Sequence, residues 1–184
     1  INSKVYNKSF ISLNSRDYYI LSGSSKSFRT YPSSILNGRP MTLKIERPLS
    51  LPTNNIKIKK VSMEYKGRSY HFDFPANLNN IAFYKNYPTC EPNIHVNTPL
   101  SPGLKSYIKS EVAPIISNLT LRNQLEFLYK LTQSLYSYST DSLEFGKEKI
   151  FFPEESFYYM KSDCEDRTIL LSYLAKELLN LSSI

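Results

Sequence analysis

The sequence predicts an α+β protein, with a β-rich, basic domain at residues 1–90 and a helical portion at residues 91–184. Three observations predict this division. Apolar and polar residues alternate between residues 41 and 74, which is the period of a strand with one buried face. Four prolines cluster between residues 88 and 102, and proline interrupts strands and helices alike. After them the apolar residues take the spacing of amphipathic helices.

Alternation in the first half predicts four strands, at residues 41–48, 55–65, 68–74 and 79–87. Lys66-Gly67 separates the second strand from the third and predicts the turn of a β-hairpin. The alternation changes phase by one residue at Lys59-Lys60, which predicts a β-bulge at that point. The residues before 40 are interpreted as strand and loop.

Three helices are predicted in the second half. Ser101 followed by Pro102 is typical of a helix start, with serine as the N-cap and proline at the first helical position. Pro114 is expected to kink or end this first helix. Leucines three to four residues apart predict a second helix at about 120–137, and a third apolar stripe follows residue 167.

Cys164 lies near the start of the third predicted helix, among the acids of SDCEDR. Ser162 and Glu165 fit the S-x-x-E capping box, which places Cys164 at the second helical position. The helix dipole and the free N–H groups there favour a reactive thiolate. Each of three flanking acids opposes this by about 1 kcal/mol or less at surface separations. A reactive thiol would therefore need a cation partner, and the alternative is a small buried hydrophobic residue.

The net charge of +7 is spread unevenly along the chain. Residues 1–92 hold 14 Lys/Arg and 5 Asp/Glu, a net of +9, whereas residues 93–184 hold 9 and 11, a net of −2. This asymmetry admits an anionic partner for the basic first half. The simpler interpretation is a solvated, lysine-rich β surface, because the basic residues are dispersed and no nucleic-acid motif accompanies them.

Composition also excludes several kinds of site and segment. The only cysteines, Cys90 and Cys164, exclude a disulfide framework and a cysteine-based zinc site, and we expect no disulfide between them. No apolar run approaches the roughly 18 residues of a membrane span, and the opening INSKVYNKSF lacks the apolar core of a signal peptide. No P-loop or GxGxxG motif is present, so we expect no cofactor and no metal.

Three motifs in the last 40 residues occur in a fixed order: FG-x-EK at 145–149, FFPEE at 151–155 and SDCEDR at 162–167, which opens an apolar helix. This arrangement resembles the bacterial transglutaminase-like superfamily, in the version found in Bacteroidetes. The resemblance covers about 65 residues well and about 80 loosely. The first 90 residues match none of the family's motifs.

The resemblance implies a core shared with papain-like peptidases, of which residues 91–184 would be the helical half. Cys164 matches the family's nucleophile, which attacks a glutamine side-chain amide or a peptide bond of a protein or peptide substrate. It implies an acyl-thioester that water or an amine resolves, with backbone N–H groups at the helix start as candidates for the oxyanion hole. It also favours an exported or cell-envelope location.

The family's triad His and Asp lie on strands that follow the cysteine helix, whereas Ile184 comes only 20 residues after Cys164. We therefore expect no competent triad within these 184 residues, and acyl transfer or hydrolysis only in the intact protein. His95 could reach Cys164 only in an order foreign to the family, and His71 is predicted to be a surface or strand-edge residue.

Two alternatives stay open at this point. The first is a non-enzymatic protein-binding or scaffold module with a degenerate transglutaminase-like fold. The second is a glycosidase that uses Glu154 and Glu155 as its paired carboxylates, which is disfavoured because adjacent acids on a loop rarely face one site.

Overall fold

The computed structural model describes residues 10–13, 16–19, 44–88, 90–146 and 148–181. Helices and strands both contribute, as the predicted α+β class requires. The chain divides into two compact units, one of Ile1–Lys44 with Pro88–Cys90 and one of Ile45–Tyr87 with Glu91–Ile184. In the first unit, β1 (Phe10–Leu13) pairs antiparallel with β2 (Arg16–Tyr19).

A β-hairpin opens the second unit. Strands β3 (Ile56–Tyr65) and β4 (Arg68–Asn77) pair antiparallel without a break in register. Lys66 and Gly67 form the turn with φ of 50° and 75°, the left-handed pair that matches the twist of the flanking strands. The predicted hairpin and its turn are thus confirmed.

The bulge predicted at Lys59-Lys60 is wrong, because every residue of β3 has a single partner on β4. The phase changes because Lys59 takes an inward position in the same row as Val61, while Ile58 lies 46% exposed on the outer face. A lysine at an inward position interrupts the alternation of apolar and polar residues, so the sequence alone suggests a shift of register.

Lys59 is 4% exposed. Its ammonium donates to the carbonyl of Ser156 at 2.9 Å and to the carbonyl of Tyr159. It also lies 4.5 Å from the ring centroid of Tyr136, within range of a cation–π interaction. Burial lowers the pKa of Lys59 from 10.5 to about 7. The inward lysine therefore ties β3 to the segment that precedes the cysteine helix.

Lys59→Met is expected to remove a pH-dependent part of the stability. Between about pH 7 and 10.5 the unfolded chain holds a proton that folded Lys59 has lost, so wild-type unfolding free energy gains up to about 1.4 kcal/mol per pH unit there. Below pH 7 the buried charge keeps its full cost, and the variant should be more stable by about 1 kcal/mol or more. Urea unfolding at pH 6.5, 8 and 9.5 measures both effects. If the unfolding free energies of the two proteins change equally with pH, the prediction is contradicted.

Two other strand predictions are not supported. Residues 44–48 have no regular structure, and residues 41–43 lie outside the described residues. The strand predicted at 79–87 is wrong, since helix α1 runs from Leu78 to Lys85. Asn77 caps this helix by accepting from the Asn79 N–H at 3.0 Å, and the alternating apolar residues also fit one face of a short helix.

The remaining helices are α2 (Pro92–Asn97), α3 (Pro102–Glu111), α4 (Ala113–Ile116), α5 (Leu121–Ser134), α6 (Asp141–Phe145) and α7 (Cys164–Leu179). The predicted start at Ser101-Pro102 and the second helix, α5, are confirmed. The break predicted near Pro114 is confirmed as well, because α3 stops at Glu111 and Pro114 lies in the first turn of α4.

The core of the second unit joins the hairpin to the helices. Phe127 of α5 packs edge-on against Tyr65 and Tyr70 at 5.3 and 5.2 Å between ring centroids. The hairpin was expected to belong to a β-rich domain of residues 1–90. It instead shares one core with the helices of the second unit. The buried residues that α7 contributes to this core are Leu170, Tyr173 and Leu174. None of the helices in the described ranges is both long and apolar enough to cross a membrane.

Candidate functional site

Cys164 is the first residue of α7 and its side chain is exposed. The alternative in which the cysteine is a buried hydrophobic residue is therefore wrong. Cys164 forms no disulfide within the described part of the chain. The structure thus presents a thiol to solvent at the N-terminus of a 16-residue helix, one face of which is buried.

The cap of α7 differs from the predicted S-x-x-E box by one residue. Asp163 is the N-cap, and its carboxylate accepts from the N–H groups of Glu165 at 3.0 Å and Asp166 at 3.4 Å. Cys164 is consequently the first helical residue and not the second. Ser162, the predicted cap, is buried and belongs to a short strand. An aspartate in this role also complements the helix dipole.

Two short parallel strands hold the chain just before Cys164. Strand β5 (Ser137–Tyr138) pairs with β6 (Lys161–Ser162). The Ser137 N–H donates to the Met160 carbonyl at 3.0 Å, and the Ser139 N–H donates to the Ser162 carbonyl at 3.1 Å. The chain that leads into Cys164 is therefore held by backbone hydrogen bonds to the segment that follows α5.

The three motifs of the sequence lie in contact with one another. Lys149 of FG-x-EK donates to Glu155 of FFPEE at 2.7 Å. The Phe151 N–H of FFPEE donates to Asp166 of SDCEDR at 2.8 Å. The ring of Phe145 packs edge-on against Phe151 at 5.6 Å. Residues 145–146 and 148–166 thus form one packed support for the start of α7.

Glu154 and Glu155 are buried and have different partners. Glu154 accepts from Asn80 Nδ2 at 2.7 Å, from the Ser101 N–H at 3.0 Å and from Ser101 Oγ at 2.8 Å. Glu155 accepts from Lys149 and from the Phe152 N–H at 3.1 Å. Burial raises the pKa of Glu155, and the ammonium of Lys149 opposes the rise. Both carboxyls hold the loop in place, and neither is presented to a substrate as a glycosidase requires.

Asp166 is completely buried although it belongs to an acid-rich motif. Its pKa is raised to about 8, mainly by burial and also by the charges of Asp163 and Asp141, while the hydrogen bond from the Phe151 N–H opposes the rise. Its Oδ2 atom accepts no hydrogen bond from any residue in the described ranges. This acid is therefore protonated at neutral pH and removes one of the three charges that were expected to oppose a thiolate.

A group of three acids lies beside the cap. Carboxylate oxygens of Asp141, Glu148 and Asp163 come within 4.8 Å of one another. Burial, followed by the charges of Asp163 and Glu148, raises the pKa of Asp141, and a hydrogen bond from the Lys149 N–H opposes the rise. Oxygen ligands of this kind suit a hard cation such as Ca²⁺. Exposed acidic groups are common without an ion, and we assign no metal here.

The histidines are engaged elsewhere in the fold. His71 is exposed on β4, with Nδ1 2.9 Å from Ser62 Oγ on β3, which confirms the predicted surface position. His95 is buried in α2 and stacks on Phe152 with 4.2 Å between ring centroids. Burial lowers the pKa of His95 to about 4, so its imidazole is neutral at pH 7.

Contacts of the segment around α2 place it against the middle of α7. Asn97 accepts from Lys176, and the Leu100 N–H donates to the Tyr173 hydroxyl at 3.1 Å. Tyr173 follows Cys164 by nine residues, which corresponds to about 13 Å along a helix. His95 itself stacks on Phe152, the neighbour of Phe151, whose N–H donates to Asp166 in the first turn of α7.

Sequence reasoning missed the inward positions of Lys59 and Asp166, although both carry a signal. Lys59 has the same parity as Val61, Met63 and Tyr65, the buried apolar residues of β3. Asp166 precedes the buried Ile169, Leu170 and Tyr173 by three, four and seven residues, which is the spacing of one helix face.

Comparison of the chain with protein-family models, with curated proteins and with solved structures gives no match.

Proposed function

We propose that Cys164 is the nucleophile of a transglutaminase-like enzyme, which performs acyl transfer or amide hydrolysis on a protein or peptide in the intact protein. The observation that supports this most directly is the exposed thiol on the first residue of α7. A nucleophile needs this placement, because the helix dipole favours the thiolate and solvent gives the substrate access.

The start of α7 also offers a donor for the developing oxyanion. Asp163 occupies the N–H groups of Glu165 and Asp166. Across the described ranges, no acceptor bonds the N–H of Cys164 itself. When the sulfur attacks a carbonyl carbon, this N–H lies on the nucleophile's own residue and can bond the oxygen that becomes negative.

The reaction joins the sulfur to the acyl carbon and expels the amine of the substrate. Water or a second amine then attacks the thioester and releases the sulfur. A general base and acid typically contribute about 10² to 10⁴ in rate, and the resemblance assigns that role to a His and an Asp on strands that follow α7. Acylation of Cys164 without efficient turnover is therefore expected for the 184 residues.

A second candidate is a scaffold or protein-binding module without catalysis. The observation that favours it is that several motif side chains are buried and make hydrogen bonds within the fold. Hydrogen bonds of the motif side chains Glu154, Glu155, Lys149 and Asp166 hold residues 148–166 in place. That arrangement stabilises the fold whether or not the thiol reacts.

Acylation by p-nitrophenyl acetate tests the proposal. The thiolate would take the acetyl group and release p-nitrophenolate, and we expect acetylated Cys164 to appear about tenfold faster than acetylated Cys90. Intact and peptide mass spectrometry measures both sites in one protein. Cys164→Ser should abolish the fast release and Cys90→Ser should leave it unchanged. Equal rates at the two cysteines would favour the scaffold.

A further inference from the structure

We propose that Arg167 is a positioning residue for Cys164, whose fixed positive charge offsets the acids around the thiol. The inference builds on the proposed function and names the cation that a reactive thiol at this place requires. Neither histidine supplies it, because His71 lies exposed on the hairpin and burial lowers the pKa of His95, which stacks on Phe152, to about 4.

The position of the guanidinium follows from its bond to Ser162. Arg167 Nε donates to Ser162 Oγ at 3.3 Å. These residues flank Cys164, two positions before it and three after it, and helical side chains lean toward the N-terminus of their helix. The guanidinium therefore lies beside the first turn of α7, on the face that residues three apart share.

Two neutral side chains, one on α5 and one just after it, also contact the guanidinium. Arg167 Nη1 donates to Gln133 Oε1, and the guanidinium carbon lies 5.8 Å from the ring centroid of Tyr136. These contacts restrict the side chain without adding a negative charge. A cation held this way keeps its position as the sulfur gains charge.

The charge of Arg167 is not cancelled by an ion pair within the described part of the chain. The neighbouring cations behave differently, since Lys149 pairs with Glu155 at 2.7 Å and Lys161 pairs with Glu144 at 3.0 Å. Arg167 thus remains available to offset Asp163 and Glu165. A guanidinium stays protonated at any ordinary pH, so it stabilises the thiolate and does not act as the base.

Alkylation by iodoacetamide, which is a neutral reagent, tests this role. The thiolate displaces iodide, so the rate at pH 7 reports how readily the thiolate forms. We expect Arg167→Gln to slow alkylation of Cys164 about tenfold and Arg167→Lys to stay within about threefold of wild type. Cys90 in the same protein serves as the internal reference, and urea unfolding reports the stability of each variant.

Gln133→Glu gives a second test that retains the arginine. The new carboxylate would pair with Arg167 in place and cancel its charge, so alkylation of Cys164 should slow several-fold without loss of stability. This variant decides the question if Arg167→Gln does not fold.

Two outcomes would overturn the role of Arg167: equal slowing by Arg167→Gln and Arg167→Lys, or an unchanged rate in Gln133→Glu. A different result concerns the proposed function itself. If Cys164 of the wild-type protein reacts no faster than Cys90, the thiol is not activated, whatever the arginine contributes.

Discussion

Glu154→Ala is expected to lower the free energy of unfolding by about 3 to 5 kcal/mol. The carboxylate is 1% exposed and accepts from Asn80 Nδ2, the Ser101 N–H and Ser101 Oγ. Truncation leaves these buried donors without an acceptor and opens a cavity, and both effects destabilise. The loss should be large because Glu154 joins α1, the start of α3 and the loop before α7.

Two further variants separate this network from a general effect of removing a glutamate. Glu154→Gln retains one acceptor oxygen and the volume of the side chain, so it should lose clearly less than the alanine variant. Glu144→Ala removes an exposed partner of Lys161 and should cost about 0.5 kcal/mol or less. Urea unfolding at constant pH compares the three, and a similar small loss for Glu154→Ala and Glu144→Ala would refute the network's importance.

Asp166→Asn is expected to flatten the dependence of stability on pH between about pH 4 and 8. In the folded protein Asp166 keeps its proton until about pH 8, whereas the model value for an unfolded aspartate is 3.8. The stability that this proton supplies is complete below pH 3.8 and is lost as the pH rises to about 8. The wild-type slope in that window is up to about 1.4 kcal/mol per pH unit.

Asparagine retains the acceptor for the Phe151 N–H and has no proton to lose. The variant should therefore gain stability relative to wild type as the pH increases from 5 to 7.5, by on the order of 1 kcal/mol or more. Chemical unfolding at three pH values in this window provides the measurement. Parallel curves for the two proteins would show that Asp166 is ionised in the folded state.

Lys59 and Asp166 act in opposite directions on the two sides of neutral pH. Asp166 lowers stability as the pH rises to about 8, and Lys59 raises it between about 7 and 10.5. The combined contribution of these two groups to the unfolding free energy of the wild-type protein should consequently be smallest near pH 7 to 8.

Features that depend on neighbouring residues were predictable. The Lys66-Gly67 turn, the start at Ser101-Pro102 and the break near Pro114 depend on local backbone preferences. Helix α5 follows from the spacing of its leucines. Such features need no knowledge of distant parts of the chain, because the preference lies within a few residues.

Features with two locally acceptable solutions were decided by packing. Residues 78–85 fit a strand or a short helix, and the cap at Asn77 with the burial of Ile81 and Tyr84 selects the helix. The cap of α7 is also ambiguous, since both Ser162 and Asp163 are good N-cap residues. The pairing of β6 with β5 uses Ser162 and leaves the cap to Asp163.

By itself the sequence determined the α+β class, the hairpin, the main helices and the place of Cys164 at a helix start, because each depends on a local pattern. The tertiary structure alone decided that the thiol is exposed and that Glu154 and Asp166 are buried. It alone also decided that Arg167 forms hydrogen bonds with Ser162 and Gln133. Burial and long-range hydrogen bonds depend on which segments of the chain meet in space, and the partners of a carboxylate or an arginine are fixed only when they do.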